Sequence, residues 1–249
     1  MALVSDRCIC LRKLEYSETS QILLLLGRQQ GLLRVIAKGA HRRTKAGASR
    51  FGGGLDLLDV GAAVFTDRTD KDLATLTEWR LLEGHTPLRR SLRGLYLGFY
   101  AAELVSLLIE ERDPHPALYD QLEHTLEQLG TPAMEQAFLA FELELLRQTG
   151  YLPHLGSCAA CGATLGRQDD AWFSAARGGV VCRRCEGAYP DRQALDRRLL
   201  DLLNYLMRLG GTARLPVLSR HQTDPLNRLL AEHIQQTLGK GLRVGRYVL

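Results

Sequence analysis

The sequence predicts an α+β protein, in which a small N-terminal β-barrel is followed by a helical domain that a four-cysteine module interrupts. Three observations lead there. Up to about residue 80 the chain is a series of short apolar runs separated by Gly, Asp, Ser and Thr. From about residue 86 the apolar residues recur at helical spacing, and two C-x2-C pairs stand between stretches of that kind. The expected organisation is a barrel domain over 1–82 and a helical domain over 83–249, with the cysteine module inserted at 153–190.

The strand-like runs are Arg7 to Leu14, Ser20 to Gly27, Leu32 to Lys38, Leu55 to Val60, Ala62 to Arg68 and Leu73 to Trp79. Gln29-Gln30-Gly31 reads as the turn between the second and third. Five or six close-set strands with no helix between them close most economically as a barrel. In a domain of this size an OB-fold is the commonest such barrel, although strand counting alone leaves other small barrels and sandwiches open.

In the helical domain Leu95, Phe99, Ala102, Leu104, Leu107 and Leu108 lie at helical spacing until Pro114 breaks the run. A second helix is expected near Pro116 to Leu129. A third is expected after Thr131 as N-cap and Pro132 at the first helical position, with Phe138, Phe141, Leu145 and Leu146 inward. Beyond the cysteines, Asp191 to Leu209 and Asp224 to Leu238 resume the period, each opened by an Asp cap.

Composition sets the broad class. With 45% hydrophobic and 24% charged residues the chain can bury a core of ordinary size. Its longest apolar run, Ile22 to Leu26, is strand-sized, which argues against membrane association. The first residues lack the basic-then-apolar pattern of a signal peptide, so a cytoplasmic location is expected. Cys8 and Cys10, two apart on one face of a strand, read as small buried hydrophobes.

Cys158, Cys161, Cys182 and Cys185 form C-x2-C, a spacer of 20 residues and C-x2-C. Two thiolates three positions apart on a tight turn approach one ion from the same side, and two such turns complete tetrahedral coordination. We read a structural Zn2+ site, one per chain. Two disulfides, or a redox-active C-x2-C, would use the same residues. Reduced cytoplasmic thiols weigh against the first and a second matched pair against the other. His154, four residues before Cys158, could compete as a ligand, but four cysteines already fill the tetrahedron.

Charge is segregated along the chain. Residues 1–80 carry 13 Lys and Arg against 9 Asp and Glu, residues 81–150 carry 5 against 11, and residues 151–249 carry 14 against 8. No acidic residue occurs between Glu18 and Asp56, a stretch that contains Arg28, Arg34, Lys38, Arg42, Arg43, Lys45 and Arg50. Such a run is often only a solvated surface. Leaving the third strand of an OB barrel, however, it would lie where that fold takes up nucleic acid. The DNA-binding candidates are Arg34, Lys38, Arg42, Arg43, Lys45 and Arg50. Tyr16, Phe51, Phe65 and Trp79 are the large rings of the domain, and some must fill the barrel, so phosphate contacts should outweigh base stacking.

Catalytic patterns are missing: there is no phosphate-binding G-x-x-x-x-G-K-[ST], no H-E-x-x-H, no G-x-S-x-G and no G-x-G-x-x-G after a strand. The expectation is a protein that is not an enzyme.

Tyr16-Ser17-Glu18-Thr19-Ser20, Gly31 with Ala37-Lys38-Gly39-Ala40, Phe141-Glu142-Leu143-Glu144-Leu145-Leu146 with Gly150, and Phe173-Ser174 before the second cysteine pair occur in an order and spacing that span nearly the whole chain. In these the sequence resembles the bacterial RecO family of recombination and DNA-repair mediators. The resemblance implies binding to single- and double-stranded DNA, annealing of complementary strands and cooperation with RecR in loading RecA onto DNA coated by single-strand DNA-binding protein. It also implies a docking surface for the acidic, Phe-ended tail of that protein, for which Arg89, Arg90 and Arg93 are candidates by charge alone. A zinc-containing OB-fold RNA-binding or ribosome-associated factor would share the barrel and the cysteines. A zinc hydrolase would need an open metal position, which four thiolates do not leave.

Overall fold

The structure is a computed structural model that describes residues 2–40, 51–52, 55–67, 73–166, 169–209 and 217–248. The chain divides into two compact units, Met1–Pro132 and Ala133–Leu249.

In the first unit β1 (Ala2–Ser17), β2 (Ser20–Gly27), β3 (Gly31–Lys38), β4 (Phe51–Gly52), β5 (Val60–Asp67) and β6 (Ala74–Glu83) form one sheet ordered β3-β2-β1-β5-β6-β4. A parallel pairing of Val35–Ala37 with Ala74–Leu76 joins β3 to β6 and closes five strands into an OB-like barrel. Closure requires β1 to serve two neighbours. Its first half pairs with β5 from Ala2 to Ile9 and its second half with β2 from Cys8 to Ser17. A bulge at Leu11 bends the strand between these tasks. Alternate residues turn inward, so that Cys10, Leu23, Leu25, Val35, Phe65 and Trp79 fill the barrel. Gly61 is required by that filling, because a Cβ there would collide with the Trp79 ring. Gly31 (φ 69°) makes the β2–β3 turn, where residues with a side chain are strained.

One expected strand is a turn instead. Over Leu55–Val60 the Asp59 carboxylate accepts the Asp56 N–H at 2.8 Å and Leu58 takes a positive φ of 67°, so only Val60 enters β5. The apolar residues that imitated a strand are explained by Leu58, which is wholly buried. Arg89 fastens this turn. It donates to the Leu57 and Gly84 carbonyls at 2.8 Å each and to Asp59 at 2.7 Å.

Helices α1 (Thr86–Arg89), α2 (Leu92–Leu108) and α3 (Pro116–Gln128) belong to the same unit as the barrel. Ser91 caps α2 by accepting the Gly94 N–H at 3.0 Å. Ion pairs tie α3 to the strands: Arg7 Nε reaches Glu123 at 2.9 Å, and Arg28 makes a two-pronged bridge to Asp120 at 2.7 and 2.8 Å. These bridges hold Arg7 and Arg28 in their charged form and push the Asp120 carboxyl below its ordinary value.

The second unit contains α4 (Met134–Gln148), a small sheet of β7 (Ala171–Ser174), β8 (Gly179–Cys182) and β9 (Gln193–Ala194) ordered β8-β7-β9, then α5 (Arg197–Leu209), α6 (Arg220–Leu238) and the short α7 (Gly245–Val248). Three expected caps fall elsewhere. Thr131 donates back to the Gln128 carbonyl at the end of α3, and α4 begins after Ala133. Asp191 is drawn into the cysteine module, where it accepts from the Ser174 hydroxyl at 3.0 Å and the Ala176 N–H at 2.9 Å, while Asp196 receives the Arg198 N–H at 2.7 Å and caps α5. For α6 the cap is Ser219, whose N–H donates to Gln222 at 3.0 Å; Asp224 lies inside the helix and pairs with Arg220.

Candidate functional site

The four cysteines of the module sit on two turns that face each other. In the first, Gly162 N–H donates to the Cys158 carbonyl and Cys158 N–H to the Ala163 carbonyl, both at 2.8 Å. The second follows β8, where Cys185 N–H donates to the Cys182 carbonyl at 2.9 Å. The turns are stitched together by Ala159 N–H donating to Val180 at 2.8 Å. All four sulfurs then lie within 4.8 Å of one another, and Cys161 Sγ is 3.8 Å from Cys182 Sγ. With metal–sulfur bonds of about 2.3 Å, the edge of a thiolate tetrahedron is about 3.8 Å. The donor set and its spacing therefore fit a single metal ion.

Electrostatics point the same way. Burial pushes against ionisation of Cys158, but backbone N–H groups of Cys182, Cys161 and Ala160 aimed at its sulfur win and hold its pKa down at about 6. Cys185, hydrogen-bonded by Cys161 and Cys182, is pushed up to about 12. Crowded thiols resist ionising together, and a cation among them removes that conflict. Cys158 and Cys182 are buried, whereas Cys161 is exposed. His154 stands apart from the cluster: its ring meets the Ser157 hydroxyl at 2.8 Å, and its backbone pairs with Gly178 and Val180.

The basic segment is placed unevenly. Arg34 and Lys38 both face outward from β3. Arg34 pairs with Glu111 of the α2–α3 connection, whereas Lys38 has no ion-pair partner among the described residues. Arg42, Arg43, Lys45 and Arg50 lie outside the described residues. Arg89 is committed to the turn at Asp59 and does not stand as a free docking cation.

Sequence reasoning missed the partners Glu111, Asp120 and Glu123. Their signal was the acidic middle block, which within this unit answers the basic first block: Arg7, Arg28 and Arg34 are each neutralised from residues 111–123. Of the domain's large rings, Phe51, Phe65 and Trp79 are buried, leaving Tyr16 65% exposed. Cys8 and Cys10 are buried with their pKa values raised, Cys10 to about 12, as inert core thiols should be.

Against known families, residues 1–85 match the one described as Recombination protein O N terminal, and residues 89–246 the one described as Recombination protein O C terminal. The chain belongs to the RecO family. Among relatives named DNA repair protein RecO, that of Rhodopirellula baltica is 36% identical over 210 residues, covering 84% of this chain and 75% of the relative. That of Anaeromyxobacter sp. (strain K) is 31% identical over 246 residues, covering 96% and 93%. That of Roseiflexus sp. (strain RS-1) is 32% identical over 236 residues, covering 91% and 79%. Both RecO halves are thus matched, and the barrel and the cysteine module fall one in each half. No described helix is long and apolar enough to cross a membrane.

Proposed function

We propose that this RecO-family chain is a non-enzymatic DNA-repair mediator that binds single- and double-stranded DNA and anneals complementary strands. With RecR it assists RecA loading onto DNA coated by single-strand DNA-binding protein, at the nucleoid. One observation carries the reading: the family match runs through a barrel domain whose sequence is free of acidic residues between Glu18 and Asp56 and rich in basic ones. Annealing needs two strands held with their charges neutralised and their bases free to pair. Lys38, Arg42, Arg43, Lys45 and Arg50, with Arg34 once freed from Glu111, would supply the neutralising charge.

The cysteines hold one Zn2+ in a structural role. Zinc suits four thiolates that leave no open coordination position, and such a closed site holds chain together rather than performing chemistry. The acidic tail of single-strand DNA-binding protein would dock on the helical body, where exposed Arg90 remains a candidate.

The deciding experiment is annealing of complementary oligonucleotides, bare and coated with single-strand DNA-binding protein. Accelerated annealing on both is expected. If ~4 to 6 cations meet phosphates, the log-log salt slope on single strands should be roughly minus 3 to minus 4. A slope near zero, or preference for structured RNA in competition, would overturn the reading.

A further inference from the structure

The strand register assigns a layout to the outer face of β1–β2–β3. Residues directly opposite one another in paired strands point to the same side. Three successive rungs on the outside therefore run Arg12–Leu24–Arg34, Leu14–Ile22–Ile36 and Ser17–Ser20–Lys38. The middle rung is apolar across its full width of about 10 Å, and cations stand on the rungs above and below it. Leu14 is 48% exposed, Ile22 half-buried, and Ile36 closes the inner end. Beside Leu14, Tyr16 occupies the bulge between the Glu15–Gln21 and Ser17–Ser20 pairs with its ring in solvent.

A rung that exposes Leu14 and part of Ile22, with a ring at its end and bracketed by Arg12 and Lys38 without ion-pair partners among the described residues, is not an ordinary solvated sheet face. A ligand complementary to it has an apolar ribbon bordered by regularly spaced negative charge. Single-stranded nucleic acid with unpaired bases has that form, whereas a duplex hides its base faces.

The third cation, Arg34, is already occupied. Arg112 N–H donates to the Leu32 carbonyl at 2.9 Å and Glu111 bridges Leu32, so the α2–α3 connection is stitched to β3 and presents the Glu111 carboxylate to the Arg34 guanidinium. Both side chains are partly exposed, so the pair separates at little cost when a phosphate competes.

We infer that Leu14, Ile22 and Tyr16 contact the bases of a single strand, and that Glu111 is a built-in competitor that lowers affinity by occupying Arg34. This rests on the DNA-binding reading above and adds a base-dependent component to a surface otherwise expected to hold phosphates. A restrained affinity suits an annealing protein, which must release its product.

The test compares a thymidine oligonucleotide with an abasic oligomer of equal length, which keeps the phosphates and removes the bases. The wild-type protein should prefer the thymidine strand. Leu14→Ala and Tyr16→Ala should each lower that preference about threefold or more while leaving abasic binding unchanged. Glu111→Gln should tighten binding of both ligands about two- to fivefold and steepen the salt slope by about 0.7. Unaltered Trp79 emission would show that each variant keeps its barrel. Equal affinity of the wild type for the two oligomers, or a preference untouched by both alanine variants, overturns the base contacts while leaving DNA binding intact. Unchanged affinity in Glu111→Gln overturns the competitor. Failure of the wild type to bind either oligomer at low salt refutes instead the DNA-binding function itself.

Discussion

Replacing Cys161 by serine separates metal binding from packing. In the cluster around the sulfurs Cys158, Val181 and Cys182 are buried, and two of the three are candidate ligands. Burying one valine contributes about 1.5 to 2 kcal/mol, too little to order the two cysteine turns, whereas the strands behind them also bury Phe173 and Val180. An ion present at a hundred to a thousand times its dissociation constant adds about 3 to 4 kcal/mol, so a bound metal should dominate the stability of these turns. Because Cys161 is exposed, the serine variant loses a ligand and almost no packing, and its cost reports the metal alone. The chain's two tryptophans make the assay local: Trp79 lies in the barrel and Trp172 on β7. Urea unfolding would be followed by emission, with a Trp172→Phe protein identifying the module's share, alongside metal analysis of the purified protein. The module should open at lower urea by about 3 kcal/mol, with metal lost and the barrel transition unmoved. A variant that keeps one metal per chain, or a Trp172 signal indifferent to both the substitution and a chelator, would refute the reasoning.

Arg89→Ala should destabilise the first unit by about 2 to 3 kcal/mol in urea, since it strands the buried Asp59 carboxylate and uncaps two carbonyls. Gly61→Ala should cost about 1 to 3 kcal/mol and shift Trp79 emission, because the new methyl displaces the indole. Glu142 is fully buried, and burial raises its pKa well above the ordinary 4.5, so the native state holds a proton that the unfolded state releases. Its contribution is therefore present below about pH 4.5 and is lost as pH rises toward the folded value. Glu142→Gln should flatten that dependence in denaturant midpoints measured from pH 4 to 8. His85 has the opposite sign. Burial lowers its pKa below 6.5, so its contribution is present above that value and is lost as pH falls through the folded value, and His85→Gln should be less acid-sensitive.

Elements whose periodicity coincides with burial were legible. The β2 run was bounded correctly from a short apolar stretch and a glycine turn, and the cysteine spacing alone specified which side chains would converge. What escaped depends on which polar partner each residue finds, near or distant in sequence. Leu55 to Val60 has the residues of a strand, but Asp56 and Asp59 satisfy one another locally and fold it into a turn. The acid-free stretch looked unbalanced because its counter-ions Glu111 and Asp120 lie far along the chain, Asp120 being 92 residues beyond Arg28. An Asp before a helical period is equally ambiguous: Asp191 was claimed by Ser174 and Ala176, and Asp196 took its place.

The pairing of both β3 and β4 with β6 has a consequence for valency. Ala37 lies beside Leu76 and Phe51 beside Trp79, so the two ends of the intervening stretch are fastened to one strand at points about 10 Å apart. Arg42, Arg43, Lys45 and Arg50 fall in the sequence between these two pairings. On the proposed reading, once one of them engages a phosphate the others would meet neighbouring phosphates at an effective concentration set by the length of that stretch, on the order of millimolar. Individually weak contacts can then hold a strand together and still be exchanged one at a time as a complementary strand arrives.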